Sequence, residues 1–186
     1  MTTPVLSIVT PAFNEGENLL RLHERIVAMD WTSLGMDFEL LIVDDHSTDS
    51  TPEVIARLVA RDARVKTIRF SRNFGSHAAL TAGLEHATGA AAVVLAADLQ
   101  DPPETIPALV AEWRKGAATV WAVRGGREGE SLQTRLTARI FYSLIGRMTK
   151  MSMPPQGVDF FLLDRAVIEA LRLAPERNTS LIAQIQ

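Results

Sequence analysis

The segment Val93–Glu104, VVLAADLQDPPE, sets the tightest limit on how this chain folds. Its small and β-branched apolar residues suit a strand buried on both faces, and the run stops at Asp98, with Gln100 and Asp101 behind it. Pro102 and Pro103 end the extended stretch and open a helix, since proline is tolerated in a first helical turn and rarely deeper. A carboxylate is thereby placed at the carboxyl end of a core strand, where open α/β sheets bind their ligands. Asp98 and the Gln100 amide oxygen are donors that a hard cation such as Mg2+ or Mn2+ accepts, with phosphate oxygens and water completing the shell. An isolated Asp-x-x-Asp-Pro is more often a solvated turn. The surrounding chain decides between the two.

That chain alternates strand and helix signals. Strands are expected at Val5–Thr10, Phe38–Val43, Val65–Phe70, at the Val93 segment and at Thr119–Val123. Helices are expected from about Glu15 to Met29 with Asn14 as cap, from Thr51-Pro52 with the stripe Val54, Ile55, Leu58 and Val59, from Ser76 to Ala87, and from Pro103 to Lys115. In the first helix Leu19, Leu22 and Ile26 share one face, with His23 beside them. The order implies an α/β fold, a mainly parallel sheet with helices on both faces. From Ser131 to Met148 a further helical pattern sets Arg135, Arg139 and Tyr142 together outside the apolar arc. That side is either ordinary solvent-facing surface or two guanidinium forks presented to phosphate. The glycines of Gly125-Gly126 and Glu128-Gly129 mark the preceding loop as mobile, suited to closing over a ligand.

Composition narrows the class. The chain has 186 residues, 47% of them hydrophobic, enough for one domain with a substantial core. It has no cysteine, which removes disulfides and thiolate metal sites. Met1-Thr2-Thr3-Pro4 lacks the basic start of a signal peptide, and no apolar run is long enough to cross a bilayer, so the chain reads as soluble and cytoplasmic. A net charge of −3 gives no reason to expect nucleic acid. Eight basic residues against Glu128 and Glu130 nevertheless give the stretch Arg114–Lys150 a local +6. That suggests an anionic ligand held partly by arginines, or else a solvated basic face.

The first four expected strands end in polar residues. These are Pro11-Ala12-Phe13-Asn14-Glu15, Asp44-Asp45-His46-Ser47-Thr48-Asp49, Ser71-Arg72-Asn73-Phe74-Gly75 and Asp98-Leu99-Gln100-Asp101. A nucleotide site at such an edge needs a carboxylate for base or ribose, an apolar wall and a metal for the diphosphate. Asp45, Phe13 and Asp98 fit those needs. There is no Gly-x-Gly-x-x-Gly after the first strand and no Gly-Lys-[Ser/Thr] P-loop. A phospho-acceptor receiver domain also carries an acidic pair, but it wants a lysine at a later strand end, and Lys66, Lys115 and Lys150 do not stand there.

Those four stretches, PAFNE at 11–15, VDDHSTDST at 43–51, SRNFG at 71–75 and ADLQDPPE at 97–104, resemble family 2 glycosyltransferases. The last two are similar to the polyprenyl-phosphate branch, as are Val123-Arg124-Gly125-Gly126-Arg127, Gly157-Val158-Asp159-Phe160 and Leu162-Leu163-Asp164-Arg165. The resemblance runs through nearly the whole chain in family order. It implies a GT-A type, Rossmann-like fold and an inverting transfer of a sugar from a UDP- or GDP-linked donor to a polyprenyl phosphate, with Mg2+ or Mn2+. By the same resemblance Pro11, Phe13, Glu15 and Ala97 line the nucleotide pocket, Asp45 reads the base, and Asp98 with Gln100 holds the metal. Arg124 and Arg127 belong near the diphosphate or acceptor phosphate, Arg135 and Arg139 face the acceptor phosphate, and Asp159 lies near the reacting centre or is merely a turn carboxylate. Arg72 and Asn73 either border the pocket or anchor their loop, and of His23, His46, His77 and His86 only His77 has a motif position.

Two positions depart from the family pattern: Ala96 stands where many relatives have aspartate, and Phe161 where many have arginine. Bacterial relatives continue into amphipathic and transmembrane helices. Residues 1–186 are accordingly expected to be one catalytic domain whose full-length protein meets the cytoplasmic face of the membrane, with homo-oligomerisation left open. The alternatives are a family 2 enzyme with a non-lipid acceptor and a non-catalytic nucleotide- or phosphate-responsive module.

Overall fold

The computed structural model describes residues 3–122 and 160–173. Among the described residues six strands form one sheet: β1 (Val5–Ala12), β2 (Asp37–Asp44), β3 (Val65–Arg69), β4 (Ala91–Val94), β5 (Thr119–Trp121) and β6 (Phe161–Asp164). Their order is β3-β2-β1-β4-β6-β5. The first four strands run parallel, and β6 lies antiparallel to both β4 and β5. The helices are α1 (Gly16–Val27), α2 (Thr51–Arg61), α3 (Ser76–His86), α4 (Ile106–Trp113) and α5 (Arg165–Leu173), with a 3-10 turn at Pro103–Thr105.

Alternating side chains of each strand feed two cores. Leu6 and Ile8, Phe38, Leu40 and Ile42, Val93 and Leu162 pack with the apolar faces of α1, α2 and α4. Val9, Leu41, Ala92, Val94, Phe161 and Leu163 point to the other face, which Leu84 of α3 and Ile168 of α5 cover. Gly83 lets α3 lie directly on the sheet: a Cβ there would collide with Val9 Cγ1.

The sheet and its helices stand as the sequence implies, with local corrections. Asn14 does not cap α1; Glu15 precedes the helix, and the Asn14 side chain reaches across to accept the Thr48 N–H at 2.9 Å. Val59 is exposed, because the buried stripe of α2 is completed by Thr51 instead. β4 ends at Val94, although Leu95 and Ala97 stay buried, so Asp98 sits on a turn beyond the strand. β6 was not expected from its four-residue run, which carries no turn signal of its own. The expected helix at 131–148, together with Arg124, Arg127, Arg135, Arg139 and Asp159, lies outside the described residues.

Candidate functional site

The strand order reverses direction between β1 and β4, and such switch points leave a crevice beyond the carboxyl ends of the strands. A cleft of about 160 Å³ occupies that position. Pro11 and Ala12 line it from the end of β1, Phe13 and Glu15 from the turn that follows, Asp45 from just beyond β2, Ala96, Ala97 and Asp98 from the chain after β4, and Ser76 from the start of α3. Six residues singled out in the sequence, Pro11, Phe13, Glu15, Asp45, Ala97 and Asp98, thus meet in one cavity. Ser76 was missed, although its place directly after Gly75 at a helix start was a usable signal.

The turns that aim these groups are strained. Among the described residues, the non-glycine positions with positive φ are Asn14 (60°), His46 (64°) and Leu99 (61°), and each follows the end of a different strand. A left-handed backbone costs roughly 1–2 kcal/mol for an ordinary L residue, less for asparagine. Surrounding bonds hold these turns. Asn14 N–H donates to Ser47 Oγ at 2.9 Å, the His46 ring meets the Phe70 carbonyl at 3.3 Å, and Gln100 N–H donates to Asp98 Oδ1 at 3.0 Å. Leu99 is half-buried against the larger core. Strain that collects at one edge of a sheet is a mark of a working site.

The acidic pair divides its work. Asp44, 1% exposed, accepts the Ser47 N–H at 2.8 Å and lies 3.3 Å from Arg69 Nε, so it is built into the loop. Asp45 faces the cleft, but its oxygens already accept the Phe74 N–H at 2.7 Å and the Gly75 N–H at 2.8 Å. Each carboxylate oxygen retains a further lone pair. Glu15 accepts the Asn18 amide at 2.7 Å. Arg72 and Asn73 are absent from the cleft wall; the Arg72 guanidinium stacks on Phe74 at 4.5 Å and Asn73 accepts the Gly75 N–H at 3.1 Å. Of the histidines, His23 pairs with Asp62 at 3.1 Å, and His77 and His86 are exposed on α3.

A divalent cation fits this donor set. Asp98 is exposed to the cleft with one oxygen uncommitted to the Gln100 amide, and Ala96, one of the two departures named from the sequence, lines the cleft beside it. Among the described residues no group of three His, Cys, Asp or Glu forms an all-protein cage. That suits Mg2+ or Mn2+ bound through one or two protein oxygens with phosphate completing the shell. Gln100 is exposed next to Asp98 but does not line the cleft. Phe161, at the other departure from the family pattern, is buried with its ring 5.0 Å from Trp121, so it serves the core.

Among solved structures, the chain is similar to a mannosyltransferase from Pyrobaculum calidifontis in complex with GDP-Man and Mn2+, at 21% identity and TM-score 0.64, over 92% of this chain and 47% of that one. It is also similar to glucosyl-3-phosphoglycerate synthase from Mycobacterium tuberculosis in complex with UDP, at 21% identity and TM-score 0.62, over 88% and 58%. Both carry the GT-A type fold seen here. Among curated sequences, an uncharacterized glycosyltransferase of Synechocystis is 42% identical over 93% of this chain and 54% of its own length. A prophage bactoprenol glucosyl transferase homolog of Escherichia coli is 37% identical over 93% and 56%, and the bactoprenol glucosyl transferase of Shigella phage SfX is 36% identical over the same shares. The chain spans about half the length of these relatives. Residues 7–172 match Glycosyl transferase family 2, and the chain belongs to that family.

Proposed function

We propose that this protein transfers a sugar from a nucleoside diphosphate donor to a polyprenyl phosphate, inverting the anomeric centre. The observation that carries the reading is the joint presence of Phe13, Asp45 and Asp98 on one cleft at the switch point of the sheet. The bactoprenol glucosyl transferases among the relatives point to the lipid acceptor.

In this reading the exposed Phe13 ring forms the apolar wall for the nucleoside, Asp45 accepts from the base, and Asp98 holds Mg2+ or Mn2+ against the diphosphate, Gln100 standing outside the cleft wall. The cation, when bound, neutralises charge on the departing diphosphate. An acceptor phosphate oxygen attacks the anomeric carbon while the bond from that carbon to the diphosphate oxygen breaks, and the nucleoside diphosphate leaves with the electron pair. The acceptor is already anionic near neutral pH, so the step requires no general base. Arg124, Arg127, Arg135 and Arg139 are assigned to the phosphates and Asp159 to the reacting centre. Among the described residues no helix is long and apolar enough to cross a membrane. Independently of that, the reading has the catalytic domain work at the cytoplasmic surface of the bilayer that carries its acceptor.

The test is turnover of a panel of UDP- and GDP-sugars against undecaprenyl phosphate and against soluble sugar and phosphate acceptors, with Mg2+ or Mn2+. Transfer to the lipid supports the reading, and transfer only to a soluble acceptor replaces the lipid. Nucleotide binding without any transfer points to a non-catalytic module.

A further inference from the structure

Gly75 stands outside the cleft wall, yet its backbone is under the strongest conformational demand beside it. Its φ of 90° and ψ of 158° fall in a region essentially closed to side-chain-bearing residues. A Cβ built there meets nothing within 4 Å, so the requirement is for the backbone shape and not for space. That shape turns the Gly75 N–H onto Asp45 Oδ2 at 2.8 Å, while the neighbouring Phe74 N–H takes Oδ1 at 2.7 Å. The next residue, Ser76, opens α3 and lines the cleft. The Phe74 ring faces outward, half exposed, with the Phe70 ring edge-on at 5.4 Å.

We propose that Gly75 is a positioning residue for nucleoside recognition. Two backbone N–H groups fix the plane of the Asp45 carboxylate, so its remaining lone pairs are presented to the cleft without rotational freedom. A base N–H then meets an acceptor already oriented, and the entropy of ordering it is not lost on binding. The inference rests on the nucleotide reading of the cleft and assigns the specificity of its nucleoside end to a loop that does not touch the ligand. Since coupling is reciprocal, an occupied cleft also holds the loop more tightly.

Calorimetric titration with UDP, GDP and inorganic pyrophosphate, each with Mn2+, tests this in the wild type, Gly75→Ala, Asp45→Asn and the double variant. Gly75→Ala is expected to weaken the preferred nucleoside diphosphate about tenfold and leave pyrophosphate unchanged. The double variant is expected to lose no more than the worse single one, because both act through the same bond. Hydrogen exchange on the wild type supplies a readout that needs no variant: the Phe74 and Gly75 amides should exchange more slowly once the nucleotide is bound. Equal loss of pyrophosphate, additive losses, or exchange at those amides indifferent to nucleotide would each overturn the proposal. A wild type that binds UDP or GDP while Gly75→Ala binds it equally well sinks this inference alone. A wild type that binds no nucleoside diphosphate sinks the functional reading beneath it.

Discussion

Asp45 and Asp98, carried by chain segments that follow different strands, open into the same cleft. Their separation in sequence is closed by the parallel pairing of β2 with β1 and of β1 with β4, which brings the carboxyl ends of all three strands to one edge. Had the two carboxylates faced opposite sides of the sheet, no single ligand could have engaged both.

Asp98→Asn should reduce sugar transfer by roughly 100-fold or more, since the neutral amide keeps the shape but loses the charge that holds a cation against phosphate. Raising Mn2+ should restore part of the rate. Steady-state rates across a metal titration check this, and wild-type turnover at ordinary metal concentration would remove Asp98 from the site.

Glu39 predicts acid sensitivity at the opposite end of the sheet. It is 4% exposed. Its oxygens accept from Ser7 Oγ at 2.5 Å, Lys66 Nζ at 2.6 Å and Thr88 N–H at 2.6 Å. Burial alone would raise its pKa, but the bonds from Lys66, Ser7 and Thr88 outweigh it and hold the group lowered from 4.5 to about 2. The folded value lies below the unfolded one, so the stabilisation is complete above about 4.5 and is lost as pH falls toward 2. Glu39→Gln should flatten the fall in denaturation midpoint across that window. A variant as acid-sensitive as the wild type would refute the assignment.

Gly83→Ala sets two effects against each other. Alanine favours a helix over glycine by about 1 kcal/mol, whereas forcing a methyl into a filled interface costs roughly 1–3 kcal/mol. The new Cβ would collide with Val9 Cγ1 in a wall of buried residues, so the steric term prevails. Chemical denaturation should show a net loss of about 1 kcal/mol. A gain in stability would mean that α3 is free to lift away from β1.

Arg165 secures the turn between α3 and β4. Its Nε donates to the Gly89 carbonyl at 2.9 Å, one terminal nitrogen donates to the Ala87 carbonyl at 2.9 Å, and the other also reaches Gly89. Arg165→Ala should cost about 2 kcal/mol, since charged donors to partly buried carbonyls are worth more than neutral ones. Arg165→Lys should recover less than half of it, because a single ammonium cannot reproduce the planar fork. Melting curves of the three proteins test the order.

The alternation of apolar runs with helical stripes was legible because burial on two sheet faces imposes its period on neighbouring residues. The polar ends of β1, β2 and β4 were legible for the same reason: each interrupts an apolar run. The family resemblance named Asp45 over Asp44, but the reason stayed hidden without the tertiary structure, since it lies with Ser47, Arg69 and the Phe74-Gly75 amides. The insertion of β6 between β4 and β5 was equally hidden, because its register is set by pairing with remote strands and not by any signal in Phe161–Asp164. Sequence determined which residues arrive at the edge of the sheet, through local periodicity. Only the fold determined which way each one turns there, because that choice is made by hydrogen bonds between segments far apart in the chain.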